Sequence, residues 1–262
     1  PPAVTMSAAL IEALDAASGI ICAVGAGGKK TTLQRILAAH PGRVGITATV
    51  KSTLPAAERV DQRLIEAPER LGHCLDALAA DCRRVAFAAP GHRPGRVAGL
   101  DPALVAALHE RGGFALTLVK ADGARMRGIK APRADEPVIA RHCKTVISVV
   151  SAAVIGAPLD ARVAHRPERL AGLLDLAPGE PIQPRHLGRL LAHPKGARQH
   201  LGSARHIALI NQVDDDARRH RAAEAAAEAL AARRPPDRVV LASMTATEPL
   251  VDIVEPASRA AD

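Results

Sequence analysis

The chain has no tryptophan and no tyrosine, and Phe87 and Phe114 are its only aromatic residues. That excludes the aromatic platforms on which single-strand nucleic-acid modules stack bases. Nucleic acid is therefore not an expected partner, and the core must be built from Leu, Val, Ile and Ala. The four cysteines, Cys22, Cys74, Cys82 and Cys143, include no CxxC pair. Neither a zinc site nor a disulfide framework is expected from them, and a reducing cytoplasm fits. No apolar run reaches the roughly 18 residues that a membrane helix needs. The opening stretch, PPAVTMSAALIEAL, lacks the charged head and long apolar segment of a secretory leader. The expectation is a cytoplasmic protein with no membrane partner.

What is present is a globular composition. The 262 residues are 48% hydrophobic, enough for one large domain or two small ones. The net charge of +8 comes mainly from arginines spread along the chain. Such a surface is either simply solvated or partly devoted to an anionic ligand such as a nucleotide.

Short apolar runs at 19–24, 43–49, 85–88, 114–120, 144–150, 206–210 and 238–242 read as buried strands. Helical patterns lie at 7–17, 33–39, 68–82, 101–111, 166–176, 184–193 and 216–233. This alternation predicts an α/β fold: a mostly parallel sheet with helices on both faces, P-loop NTPase-like. The expected organisation is a single nucleotide-binding domain over residues 1–256 with inserted loops, and a frayed tail at 257–262. Ligands of such sheets sit at the carboxyl ends of the strands. Three motif-like clusters fall there, after Val24, Lys120 and Ile210.

The first is Gly25-Ala26-Gly27-Gly28-Lys29-Lys30-Thr31-Thr32. Its glycines allow a tight turn whose N–H groups point inward at a helix N-terminus, a nest for phosphate. A lysine there reaches the β- and γ-phosphates, and a following hydroxyl ligates Mg²⁺. The strict pattern GxxxxGK[ST] is not met in either register. Taking Lys30-Thr31 as the Lys-Thr step keeps the hydroxyl, and that register is preferred. The dinucleotide fingerprint GxGxxG fits less well, because Lys30 stands at its third glycine. No acidic residue ends the second strand to hold a ribose, which argues further against an oxidoreductase.

In the second cluster, Asp122 ends an apolar strand, where a carboxylate can hold Mg²⁺ directly or through water. The loop 122–138 carries Arg125, Arg127, Lys130, Arg133, Asp135 and Glu136. Arg125 or Lys130 can offset charge developing on a phosphoryl group, and Glu136 can hold one of these bases or a partner. Lys51, ending the second strand, is a further phosphate candidate, and His165-Arg166 a candidate for substrate or partner contact. In the third cluster, Asn211-Gln212-Val213-Asp214 resembles the Asn-Lys-x-Asp step that reads guanine, so ATP and GTP both remain open.

Together these segments resemble the YqeC family of P-loop proteins. The resemblance runs through Val24–Leu33, then Thr47-Ala48-Thr49-Val50-Lys51 with Pro55, then Gly95–Leu100. Its most specific part is Lys120-Ala-Asp-Gly-Ala-Arg125, Ile129-Lys-Ala-Pro132 and Asp135-Glu-Pro-Val138. His165-Arg166 and Asn211–Asp214 complete it, over roughly residues 18–245. The family is described as an accessory of selenium-dependent molybdenum hydroxylases. The resemblance therefore implies partners among such a hydroxylase or its cofactor-handling proteins. A Mg²⁺-dependent NTPase is implied, with Lys30, Asp122 and Arg125 catalytic and Thr31 and Asp122 on the metal. Two departures stand out. Lys120 replaces a glutamate beside Asp122, and Ala48 interrupts a hydroxyl run. The first favours an alternative, a docking or carrier protein that holds nucleotide without turning it over.

Overall fold

In the computed structural model residues 3–256 are described, and the predicted tail at 257–262 lies outside them. The elements in chain order are α1 (Ala3–Ala13), β1 (Gly19–Gly25), α2 (Lys29–Ala39), β2 (Val44–Ala48), β3 (Gln62–Ile65), α3 (Pro68–Asp76), β4 (Arg84–Pro90), β5 (Val97–Ala98) and α4 (Pro102–Arg111). There follow β6 (Leu116–Lys120), β7 (Ile129–Lys130), β8 (Cys143–Ser151), β9 (Ala164–His165), α5 (Pro167–Leu174), α6 (Pro184–Ala192), β10 (Arg205–Asn211), α7 (Asp216–Ala231), β11 (Arg238–Ala242) and β12 (Leu250–Val254).

Nine strands line up as β12-β11-β10-β8-β1-β6-β2-β4-β3, and β5 pairs with β4 as the tenth. The pairings are parallel except β11 with β12 and β4 with β5. The fold is thus α/β with a large, mostly parallel sheet flanked by helices, in keeping with a P-loop NTPase-like architecture. β1 lies between β8 and β6, and the chain leaves it towards β2, beyond β6. This reversal of strand order opens a crevice at the end of β1.

The pleat explains how both faces are covered. Ile21 and Ala23 point to the side where Leu10 of α1, Leu14 just after it, and Leu33, Ile36 and Leu37 of α2 pack. Their neighbours Ile20, Cys22 and Val24 point the other way, onto Leu71 of α3 and Val105 of α4. Further along that second face, Ala208, Ile210, Val239 and Leu241 meet α5, α6 and α7. Alanines 222, 225, 226 and 229 let α7 sit close, and Gly188 of α6 lies where a Cβ would press on Ala225 O. With aromatics nearly absent, aliphatic interdigitation carries the core. Truncating a fully buried leucine such as Leu37 costs about 2–5 kcal/mol.

Helix starts follow local chemistry. Asp101 accepts from the amides of Ala103 and Leu104 ahead of α4, and Asp215 accepts from Arg218 N–H ahead of α7. Two expectations change. The helix read over 68–82 ends at Asp76, after which the chain turns and buries Cys82 against the core. The strand 238–242 is not the last, because β12 follows it at the sheet edge. The edge strand β3 is largely exposed and half polar, and at the opposite edge Asp252 interrupts the apolar residues of β12, so neither shows the unbroken apolar run of a buried strand. No helix among the described residues is long and apolar enough to cross a membrane.

Candidate functional site

The glycine-rich turn joins β1 to α2 at the crevice. Gly28, with φ of 122°, is the residue before the helix, and Lys29 is its first helical residue. A side chain at 28 would strike Asn211 Nδ2, and one at Gly25 would strike Val149 O, so these two positions require glycine. The first backbone bond of α2 runs from Thr32 N–H to Gly28 O at 2.9 Å. The preceding amides have no helical acceptor, and the helix dipole adds partial positive charge there. Ala26 N–H donates to Val149 O, and the Thr32 hydroxyl donates to Gly28 O, which fixes the turn from two sides.

The two lysines of the turn point apart. Lys29, 5% exposed, turns inward; its ammonium lies 2.8 Å from Asp122 Oδ1 and donates to Gly25 O. Lys30 lies outside, donating to Thr53 Oγ1 at 2.6 Å. The physical reason is the backbone: glycine at 28 sets where the helix begins, and the first helical side chain points back over the turn. The hydroxyl that favoured the other register, Thr31, is half-buried beside it.

Asp122 lies two residues beyond the end of β6 and is 2% exposed. Its Oδ2 accepts from Gly25 N–H at 2.9 Å and from Lys130 Nζ at 2.8 Å. Lys130 Nζ also donates to Gly123 O and lies 2.8 Å from Glu136 Oε2. Glu136 in turn takes two bonds from the guanidinium of Arg166, at 2.8 and 3.0 Å. Arg166 reaches it because β9 pairs with β7. Lys130, Glu136 and Arg166, separated in sequence, therefore form one chain of charges ending on Asp122. Arg125 is exposed at the mouth of this loop. Lys51 is exposed, with no ion pair among the described residues.

The electrostatics are one-sided. Lys29, Lys30, Lys120, Lys130 and Arg166 stand against Asp122 and Glu136. Burial lowers the Lys29 ammonium below its ordinary value, opposed by Asp122. Burial, then the Lys29 charge, pushes Lys120 down to about 8. Burial alone would raise the Glu136 carboxyl, but bonds from Arg166 and Lys130 outweigh it and bring it to about 2. Burial, then Arg166 and Lys130, push His165 to about 4, so its imidazole is neutral at pH 7. On the other side of Asp122 a cleft opens between Val149, Val150, Leu190 and Leu191.

Asn211 sits beside the turn, and both it and Asp214 have protein partners. Asn211 Nδ2 donates to Gly27 O at 2.8 Å, while its Oδ1 accepts from Met244 N–H at 3.0 Å. Asp214 accepts from Ser243 Oγ at 2.6 Å and from Arg218 at 2.8 Å. Sequence reasoning passed over Ser151 and Arg35. The Ser151 hydroxyl bonds to Gln212, and Arg35 ties α2 to the carbonyls of Met244 and Ala246. Neither lies in a recognisable motif, and both act through tertiary contacts alone.

Among the described residues no group of three or more His, Cys, Asp or Glu is placed to hold a metal. Asp122 Oδ1 is buried and receives no aligned hydrogen bond, only the ion contact with Lys29. That atom, once Lys29 leaves it, suits a cation that arrives already bound to phosphate rather than one caged by the protein.

Comparison with known sequences agrees with this arrangement of segments. A family model described as YqeC protein matches residues 21–168, from within β1 to the start of α5. A protein of Escherichia coli (strain K12), described as uncharacterized protein YqeC, is 31% identical over 182 residues, covering 68% of this chain and 69% of that protein. Residues 21–168 include the glycine-rich turn, Asp122 and the Lys130–Glu136–Arg166 chain, and on these two matches the chain belongs to the YqeC family.

Proposed function

We propose that this protein binds a nucleoside triphosphate, ATP or GTP, by its phosphates at the turn Gly25–Lys29. The observation that carries the reading is the convergence of that turn, the open N-terminus of α2 and an excess of lysines on one crevice at the switch in strand order. Without ligand, Lys29 faces Asp122. An incoming phosphate is the better partner for a buried ammonium, because it also accepts from the free amides of the turn. As Lys29 swings to phosphate, Asp122 Oδ1 and Thr31 become the groups that would hold Mg²⁺. The metal, when bound, neutralises phosphate charge. Lys130 keeps Asp122 in place throughout, and Arg125 at the loop mouth is the remaining group able to approach the terminal phosphate. Asn211 braces the turn rather than reading a base. In the family setting, the resemblance supports an accessory role towards a molybdenum hydroxylase or its cofactor-handling proteins.

A second reading has its own observation. Both carboxylates of the site, Asp122 and Glu136, are held in ion pairs, and Lys120 stands next to them. Neither is free to activate water, which favours a protein that holds nucleotide as a docking signal. Titration with ATP and GTP, with and without Mg²⁺, followed by phosphate release, tests both. Binding lost in Lys29→Met supports the site, and absence of binding by wild type overturns it. Release of phosphate selects the NTPase, and binding without release selects the docking protein.

A further inference from the structure

All four cysteines are free thiols, and two of them meet beneath the sheet. Cys22 lies in the middle of β1, fully buried, on the face covered by α3 and α4. Cys143 opens β8, is half-buried, and packs against the same group of core residues. Strand register brings them near one another. Ile20 pairs with Cys143, and a bulge follows between Ile20 and Ile21. Cys22 is therefore the diagonal neighbour of Cys143 on one face of the sheet.

A tight turn closes the gap. Cys143 N–H donates to Ala140 O at 3.3 Å, and Ala140 N–H donates to Cys22 Sγ at 3.4 Å. His142, inside the turn, takes a left-handed φ of 58°. The residue that anchors the Cys143 turn thus sits on the Cys22 sulfur, and the two thiols lie within hydrogen-bonding reach of each other. Cys143 Sγ also donates to Thr145 O at 3.2 Å. The two groups differ in character. A hydrogen bond from Cys22 holds the Cys143 thiol below its ordinary value, against the effect of burial. Burial pushes the Cys22 thiol up. Cys143 combines thiolate character with access to solvent, whereas Cys22 is dry and unreactive by itself.

We propose that Cys143 and Cys22 form a redox modification site, in which Cys143 reacts with a peroxide and Cys22 resolves the product into an intramolecular disulfide. The Cys143 thiolate sulfur attacks one oxygen of hydrogen peroxide. The O–O bond breaks, and hydroxide leaves and takes up a proton, so Cys143 becomes a sulfenic acid and one water is formed. The Cys22 thiol then gives up its proton, and its sulfur attacks the Cys143 sulfur. The S–O bond breaks, and the oxygen leaves as a second water. Two thiols are oxidised and one peroxide is reduced to two waters. A disulfide needs its Cα atoms within about 7 Å, and a diagonal pair lies at about 7–8 Å. Cys143, at the end of β8 between a turn and a bulge, supplies the small shift. The bond joins β1 to β8 three residues before Gly25, and forming it requires no nucleotide.

The purified full chain is reduced, freed of reductant and treated with hydrogen peroxide under native conditions. Thiols are then counted in denaturant, and digestion with mass spectrometry locates any link. The count is expected to fall from four to two, with a peptide bearing Cys22 joined to one bearing Cys143 in the monomer. Dithiothreitol should restore all four. In Cys143→Ser, Cys22 should remain a thiol. In Cys22→Ala, the reaction should stop at the Cys143 sulfenic acid, and dimedone should capture about tenfold more of it than in wild type. An unchanged thiol count, a loss that dithiothreitol does not reverse, or a link between other cysteines or between two chains overturns the proposal. So does dimedone capture at Cys74 or Cys82 in place of Cys143. The linked peptide is read on wild type alone, so a variant that fails to fold does not shelter the idea. Nucleotide titrations are run separately, so failure of nucleotide binding sinks the earlier reading and leaves this one standing.

Discussion

Lys130 is shared by two buried carboxylates, Asp122 and Glu136, at 2.8 Å from each. Removing one member of such a cluster leaves charge uncompensated in a dry place, which costs more than the pair ever contributed. Glu136→Gln is therefore expected to lower stability by about 3 kcal/mol in chemical denaturation at pH 7. An effect below about 0.5 kcal/mol, the range of ordinary surface changes, would count against a structural role for this cluster. The sign of the pH dependence follows from the depressed carboxyl. Its folded value of about 2 lies below the ordinary 4.5, so its stabilisation is complete above pH 4.5 and is lost as pH falls towards 2. Glu136→Gln should flatten the acid limb over that window. At the phosphate site, Lys29→Met is expected to weaken nucleotide binding by about 100-fold, and Lys30→Met by far less. Equal losses would return the role to Lys30.

The turn between β1 and α2 is held by elements far away in sequence. Asn211 at the end of β10 bonds to Gly27 O, and Met244, after β11, donates back to Asn211. Asn211→Ala is expected to cost about 1–3 kcal/mol through the two lost bonds. Its clearer effect should be faster hydrogen exchange at the amides of 25–29 without change at the core strands. Unaltered exchange there would show that the turn holds itself. Gly28→Ala tests the same element from inside. At φ of 122° an alanine is strained by about 1–3 kcal/mol, and its Cβ would displace Asn211. Nucleotide affinity should fall while the melting temperature drops only modestly. Much of this element is legible in sequence, because glycines after an apolar strand mark the turn. Which lysine faces Asp122 is not, because it depends on which glycine precedes α2, and the backbone at Gly28 sets that.

Across the whole molecule, the sheet encloses a histidine that acidification must unfold. His206 in β10 is 1% exposed. Arginine can only donate, so Arg198 at 3.2 Å makes Nδ1 the acceptor, and Nε2–H donates to Ser148 Oγ at 2.9 Å. Burial, with Arg198 next, pushes the imidazole down to about 3 from 6.5. The unfolded chain thus takes up a proton that the folded chain refuses. Stability is full above pH 6.5 and falls between 6.5 and about 3, by up to about 1.4 kcal/mol per pH unit for this one group. His206→Asn should remove that part of the slope, read from urea midpoints between pH 7 and 4. A slope unchanged in the variant would place the acid sensitivity elsewhere.

The sequence by itself determined the order of strands and helices, the parallel class of the sheet, the glycine-rich turn and the strand-end aspartate. These depend on local pattern: apolar runs, turn residues and helix-starting groups act over a few positions. The edge strands β3 and β12 escaped because exposed strands carry no such run. Tertiary structure alone decided which lysine faces Asp122, that Lys130, Glu136 and Arg166 form one charge chain, and that Asn211 braces the turn. Each of these depends on side chains brought together across the sheet, and a buried charge or hydroxyl gains its meaning only from what packs against it.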